Sequence, residues 1–236
     1  MKKDQKVPIM KTADISSGPL VVFGHTPLAS LAWYCLTHDS AYEVAAFTVN
    51  RSYLQGKATH EGLPVVPFEE LEQKFPPASF GILIPLGYHA INGLRRSRFE
   101  QARAMGYPAA TYISSRAIVW PDLNLGRNCL VYEGTVIQPF SRIGDNVIIR
   151  SHVHISHHCT IGSHVFIAAG TVLGGGVTIG EQAFVGLGAI IRDGVTIAAR
   201  SFIGAGAVVI ADTEPDAVYV GNPARKTGRT SLEVTA

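Results

Sequence analysis

Apolar residues recur along this chain in two rhythms, and the change falls near residue 113. Before it, solid apolar runs alternate with helically spaced ones. PLVVFG (19–24), YEVAAFTVN (42–50), FGILIPLG (80–87) and AATYI (109–113) predict strands. PLASLAWYCLTHD (27–39), PFEELEQKF (67–75) and INGLRRSRFEQARAMGY (91–107) predict helices, the first with Pro27 in its opening turn. Alternating strand and helix predict an α/β unit with a small parallel sheet, whose ligands bind at the carboxyl ends of strands. That rule selects Gly24, His25, Asn50, Arg51, Gly87 and Tyr88 as pocket residues. Trp33 falls on a helix's apolar face, and LRRSR (94–98) reads as the solvated face of another.

From Ile113 the period becomes six. Every sixth residue through Val209, seventeen in succession, is Ile, Leu or Val. Four places after each stands a small or modest side chain such as Cys129, Thr135, Ser141 or Cys159. Neither a strand nor a helix yields a period of six; a parallel β-helix does, with one short strand and one turn per hexad and three hexads per coil. The aliphatic residues point inward and stack on equivalents eighteen residues away. Cys129 and Cys159 hold the fifth place, face inward, and are excluded as nucleophile or metal ligand. His152, His158 and His164 share the fourth place of consecutive hexads and project from three different sides. His154 and His157, at the sixth and third places, lie near turns. The chain therefore divides into an arm (1–18), a Rossmann-like unit (19–112), a β-helix (113–213), and a cap with a mobile end (214–236).

Composition adds limits. Charged residues make up 16% of the 236 and the net charge is +2, which gives no sign of a nucleic-acid partner. Three widely spaced cysteines form no disulfide framework and suit a reducing compartment. No apolar run reaches membrane-span length and no signal-peptide core is present, so a cytoplasmic protein is expected.

The α/β unit, the uninterrupted hexads, ISHHCTIG (155–162) and VGNPAR (220–225) together resemble the bacterial sugar O- and N-acyltransferases of the sialic acid O-acetyltransferase and bacillosamine N-acetyltransferase type. The resemblance covers roughly residues 19–228. It implies a left-handed β-helix, a homotrimer, acetyl-CoA between neighbouring prisms, and no metal. It also implies a nucleotide-linked sugar, a 4-amino-6-deoxy sugar destined for surface glycans, in the N-terminal unit. In SHHC it makes His157 the general base, with His158 where relatives carry an acidic partner. Neutral imidazole can take the acceptor's proton at physiological pH. The resemblance places an oxyanion-binding amide at Gly175 and sets Phe166, Gly188, Arg192, Gly206, Pro223 and Arg225 along the cofactor. Phe166 stands where relatives have a histidine. Arg200 and Lys226 lie near the same end.

Three alternatives stay open. The acceptor is an amine or a hydroxyl, the latter making a sugar O-acetyltransferase. A metal-dependent hydratase of the carbonic anhydrase type would use His152 and His157, but its third ligand falls on Arg116. A non-catalytic sugar-nucleotide-binding scaffold is the third.

Overall fold

The structure is a computed structural model and describes residues 15–54, 56 and 58–236. Residues 1–14 of the expected arm lie outside that set. Ile15 pairs with Ala110, and β1 (Gly18–Phe23) already opens at Gly18. β1 is followed by α1 (Pro27–Asp39), β2 (Tyr42–Val49), β3 (Thr59–His60), β4 (Leu63–Pro67), α2 (Leu71–Lys74), β5 (Gly81–Leu83) and α3 (Gly93–Ala104). The sheet runs β3-β4-β2-β1-β5 and is parallel except for β3. Leu20, Val22 and Phe47 face α1, while Val21, Ala46 and Ile82 face Leu71 and Phe99 on the other side. The strand β4 was not expected, and FGILIPLG yields only three strand residues. Residues 109–113 do not complete this sheet: Ala109 and Ala110 make isolated bridges, and Tyr112–Ile113 is the first strand of the β-helix.

Each of the seventeen hexad aliphatics closes a two-residue strand, from Tyr112–Ile113 to Val208–Val209. Every strand up to Ile190–Ile191 pairs in parallel with the one eighteen residues on, as Ile137 with Ile155 and Ile155 with Leu173. From Leu125 onward these aliphatics are buried, with the fifth-place residues filling the space between them. Each buried aliphatic contributes roughly 1.5–3 kcal/mol. Cys129 and Cys159 are fully buried among them. Burial pushes the Cys129 thiol up to about 12 and raises that of Cys159, so neither offers a thiolate.

Only one residue of each strand points outward, so each face has a one-column exterior. The covered face shows Tyr112, Leu130, Ile148, Phe166, Phe184 and Phe202, and the α/β unit packs on most of that column. The polar face shows Asn124, Arg142, Thr160, Thr178 and Thr196. The third face shows Ile118, Val136, His154, Val172, Ile190 and Val208. It is apolar, and Ile118, Val172 and Ile190 are 61%, 40% and 47% exposed. His154, expected near a turn, is a strand residue in that column.

The fourth place of every hexad from Asn128 to Gly206 has positive φ, between 52° and 71°. The chain turns each corner there, in a conformation that suits Gly and Asn, is tolerated by His, and is unfavourable for Phe. One corner, between the polar and covered faces, stacks Asn128, Asn146, His164, Gln182 and Arg200. Its first four members dock the α/β unit. Asn128 Oδ1 accepts from the Ile84 amide at the end of β5 (2.8 Å), and Asn128 Nδ2 donates to Asn146 Oδ1 (2.7 Å). Asn146 Nδ2 then donates to His164 Nδ1 (2.8 Å), which leaves the His164 proton on Nε2. Gln182 Oε1 accepts from Arg96 (2.7 Å), and its carbonyl accepts from buried Asn92 (2.9 Å).

Arg95, expected in a solvated run, is fully buried at this corner. Its guanidinium donates to the carbonyls of Leu86 and Gly87 on one side and of His164 and Val165 on the other. Burial lowers its pKa to about 9, which still leaves it charged at neutral pH. α3 lies between two units, so its basic face meets protein. The end of the chain is not free either. Strand Ala217–Val220 extends the covered sheet, Arg225–Thr230 returns antiparallel, and α4 (Ser231–Thr235) begins with a capping box from Thr230 and Glu233. Thr235 accepts from the Ala90 amide through its carbonyl and from the Ile91 amide through its hydroxyl, both at 2.8 Å.

Burial lowers the pKa of His164, and neighbouring Glu181 opposes the shift only in part. The folded chain therefore binds this proton less readily than the unfolded one. The resulting stability is present above the ordinary imidazole value of about 6.5 and declines as pH falls through it. His164→Asn keeps a corner-compatible residue whose oxygen can accept from Asn146. Thermal unfolding at pH 7.5 and 5.5 is expected to show a smaller acid loss in the variant than in the wild type.

Candidate active site

Two sets of predicted residues emerge in different places. At the carboxyl ends of β1 and β2 lies a cleft of about 290 Å³ that includes Gly24, His25, Asn50, Tyr53, His89 and Arg98. Gly24 has φ +111°, and its amide donates to Thr48 (2.7 Å), turning the chain sharply into α1. His25 Nε2 donates to the Tyr53 carbonyl (2.9 Å), which leaves Nδ1 as an acceptor. Asn50 is held by Glu69 (3.1 Å). Arg98 bonds Gln101 through Nη1, but its Nε is buried without a hydrogen-bond partner.

Arg51 does not line this cleft, because its guanidinium pairs with Glu70. Gly87 spends its carbonyl on Arg95, and Tyr88 packs against Phe166 and Phe184 with ring centroids 5.7 and 4.4 Å away. His89 and Arg98 replace them, and sequence reading missed both. Leu94 and Arg98 stand four apart on α3 and line the cleft together, a helical spacing that could have revealed Arg98.

His157 and His158 form the corner between the apolar and polar faces, and both are exposed. Gln138 Oε1 accepts from the His157 amide (3.1 Å), and the Pro139 carbonyl accepts from that of His158 (3.2 Å). The two rings meet through their Nδ1 atoms at 3.1 Å. One coil further on, the same corner is Gly174, Gly175 and Gly176. A Cβ on Gly175 would lie 2.6 Å from His157 Cε1 and 3.0 Å from its Nε2. The His157 ring takes the space over Gly175 and Asp193 that over Gly174, so the corner opens as a notch at Gly176; the Cε1 vertex of the imidazole, between Nε2 and Nδ1, meets Gly175.

The expected oxyanion donor is corrected by this geometry. The Gly175 amide already donates to Asp193 Oδ1 (2.6 Å), and those of Gly174 and Gly176 donate to the carbonyls of Ile191 and His157 (both 2.9 Å). Asp193 lies eighteen residues after Gly175, at the same place of the next coil, so the sequence already carried this signal.

Phe166, expected along a cofactor, is instead buried on the covered face and stacked on Phe184 (5.5 Å). It precedes an inward aliphatic and so points outward, under the α/β unit. Arg192 is exposed at the His157 corner two coils on, whereas Gly188 and Gly206 sit at the corner between the covered and apolar faces. His152 is at that corner too, so it and His157 do not converge. Among the described residues no three His, Cys, Asp or Glu side chains form a metal-holding group. Pro223 follows a cis bond in the hairpin and Arg225 is exposed there. Arg200 is committed to Asp216 (2.6 and 2.8 Å) and Lys226 to Glu214 (2.5 Å).

Residues 140–175 match the family model described as bacterial transferase hexapeptide (six repeats). No curated protein sequence matches the chain. Among solved structures, the acetyltransferase domain of PglB from Neisseria gonorrhoeae FA1090 is similar at 27% identity and a TM-score of 0.80, over 89% of this chain and 99% of that one. PerB from Caulobacter crescentus, in complex with CoA and GDP-perosamine, is similar at 29% and 0.79, over 89% and 98%. WeeI from Acinetobacter baumannii AYE, at 22% and 0.66 over 89% and 100%, shares the fold. This chain carries bacterial transferase hexapeptide repeats and is similar over its α/β unit and β-helix to sugar acyltransferases. Its fold is an α/β unit on a left-handed parallel β-helix.

Gly175→Ala places a methyl group where the acyltransferase has its His157 ring. Acyl transfer is expected to fall ~10²-fold through displacement of the imidazole, with the midpoint of thermal unfolding little changed. Turnover and calorimetry on the same preparation check this.

Proposed function

We propose that the protein transfers the acetyl group of acetyl-CoA to the amino group of a nucleotide-linked 4-amino-6-deoxy sugar, with His157 as general base. The observation that carries this is the exposed His157 imidazole packed on Gly175 beside the open notch at Gly176. Support comes from likeness across both units to proteins solved with acetyl coenzyme A or with CoA and GDP-perosamine. Acetyl-CoA supplies an already activated thioester. The notch admits its narrow arm, and Arg192 offers a cation on the same corner. In the cleft, the Arg98 guanidinium, whose Nε has no partner, suits an anionic diphosphate. His157 Nε2 takes the proton as the amine nitrogen bonds the carbonyl carbon, the C–S bond breaks, and the thiolate departs.

In one chain the cleft's unit covers one face and His157 stands at the opposite corner, so a complete site needs a second copy. The exposed apolar face supports a reading in which that surface joins them. Three prisms presenting that face to a common axis bring the His157 corner of each against the Gly188 and Gly206 corner of the next. The neighbour's α/β unit then borders the notch. We therefore assign a homotrimer. Three free cysteines suit a cytoplasmic setting, and among the described residues no helix is long and apolar enough to cross a membrane.

CoA release with GDP-, UDP- and dTDP-linked 4-amino sugars tests the reaction. His157→Asn is expected to lower kcat by ~10²–10⁴-fold with KM little changed; full retention of kcat would remove His157 from the role of base. Val172→Glu puts a carboxylate in the apolar column. Light scattering is expected to show dissociation to monomers, with activity lost even though His157 is untouched.

A further inference from the structure

We propose that His158 sets the tautomer of His157, so that the two imidazoles act as a proton-sharing pair and His158 decides whether a base faces the notch. This rests on the reading of His157 as the acyl-transfer base. The facing Nδ1 atoms are 3.1 Å apart and the ring planes are nearly perpendicular, at 84°. Between two neutral imidazoles at this distance, one nitrogen donates and the other accepts. If His157 donates, its Nε2 is bare, on the ring edge against Gly175. If His158 donates, the His157 proton sits on Nε2 and no lone pair meets the acceptor.

An acidic partner at position 158 would only accept, and would hold His157 in the working arrangement. Imidazole differs, because once protonated both of its nitrogens donate. The pair is then driven into the silent arrangement. A proton on either ring thus removes the base: on His157 directly, on His158 by moving the His157 proton from Nδ1 to Nε2.

The backbone holds the pair together. His158 has φ 59°, and Phe140, one coil earlier on the same corner, has φ 67°. Positive φ is unfavourable for phenylalanine, yet it sets the Phe140 ring against that of His158, with centroids 4.8 Å apart. The stack keeps His158 beside His157 and out of the notch, which makes His158 a positioning residue. The titratable groups on the adjoining coils are already engaged. Asp122 accepts from the Phe140 amide (3.1 Å), Asp193 from the Gly175 amide (2.6 Å), and the Cys159 thiol is buried.

Ring-nitrogen NMR on the full chain labelled with ¹⁵N-histidine tests this without substrate. In the wild type at pH 8, His157 is expected to carry its proton on Nδ1. On acidification that proton should shift to Nε2 as His158 gains its own. In His158→Gln the carboxamide oxygen accepts from Nδ1, so no tautomer change should precede protonation of His157. With acetyl-CoA and GDP-perosamine as probes, the ratio of kcat at pH 6 to that at pH 8 should be ~2-fold or more higher in His158→Gln, one titrating ring replacing a coupled two. His158→Phe, with no acceptor, should lose ~10-fold in kcat at both pH values with KM unchanged. Two rings that titrate independently, or a His157 tautomer indifferent to His158→Gln, overturn the proposal. If GDP-perosamine is not acetylated, the ring nitrogens alone decide. An active His157→Asn would instead defeat the base assignment and leave the pairing result standing.

Discussion

Stacking each coil directly on the last is the constraint from which the rest of this molecule follows. An eighteen-residue coil that repeats in register gives every residue a fixed radial direction. Two places per hexad face inward, one strand place faces out, and the remainder make the corner. A function can be written only on the three outward columns and the three corners. Here those six strips carry different duties: a covered column, a polar column, an apolar column, a docking corner, a glycine-rich corner and the histidine corner.

The docking corner adds a polar seam to the apolar packing of the α/β unit on the covered face. Asn128, Asn146 and His164 hand hydrogen bonds from coil to coil, Gln182 bonds Arg96, and Arg95 ties the loop at Leu86–Gly87 to the carbonyls of His164 and Val165. Unmade hydrogen bonds at buried polar groups cost about 1–3 kcal/mol each. A partly engaged seam is therefore disfavoured, and the units meet in one arrangement. Leu86 and His89 of the cleft lie on the loop that this seam anchors, so the cleft's shape is set partly by the β-helix.

The β-helix was legible because its period is strict: a residue's place in the hexad gives its direction. That is why Cys159 could be assigned to the interior and His157 to a turn beside His158. What failed needed a partner outside the local pattern. Arg95 looks solvated until the second unit is laid against α3. Tyr112–Ile113 looks like a sheet strand until Ile113 is counted as the first of the six-residue series. β4 escaped notice because Pro64 and Pro67 punctuate it. The engaged Gly175 amide, by contrast, was within reach by counting one coil ahead to Asp193.

The in-register pairing at intervals of eighteen also limits how such a gene can change length. A single codon inserted between 114 and 208 would rotate every later residue out of its column unless the extra residue were looped out at a corner. Gain or loss of a whole coil keeps each column aligned and alters only the height of the stack. Duplication in units of fifty-four nucleotides is thus the step that lengthens this column while leaving its faces in order.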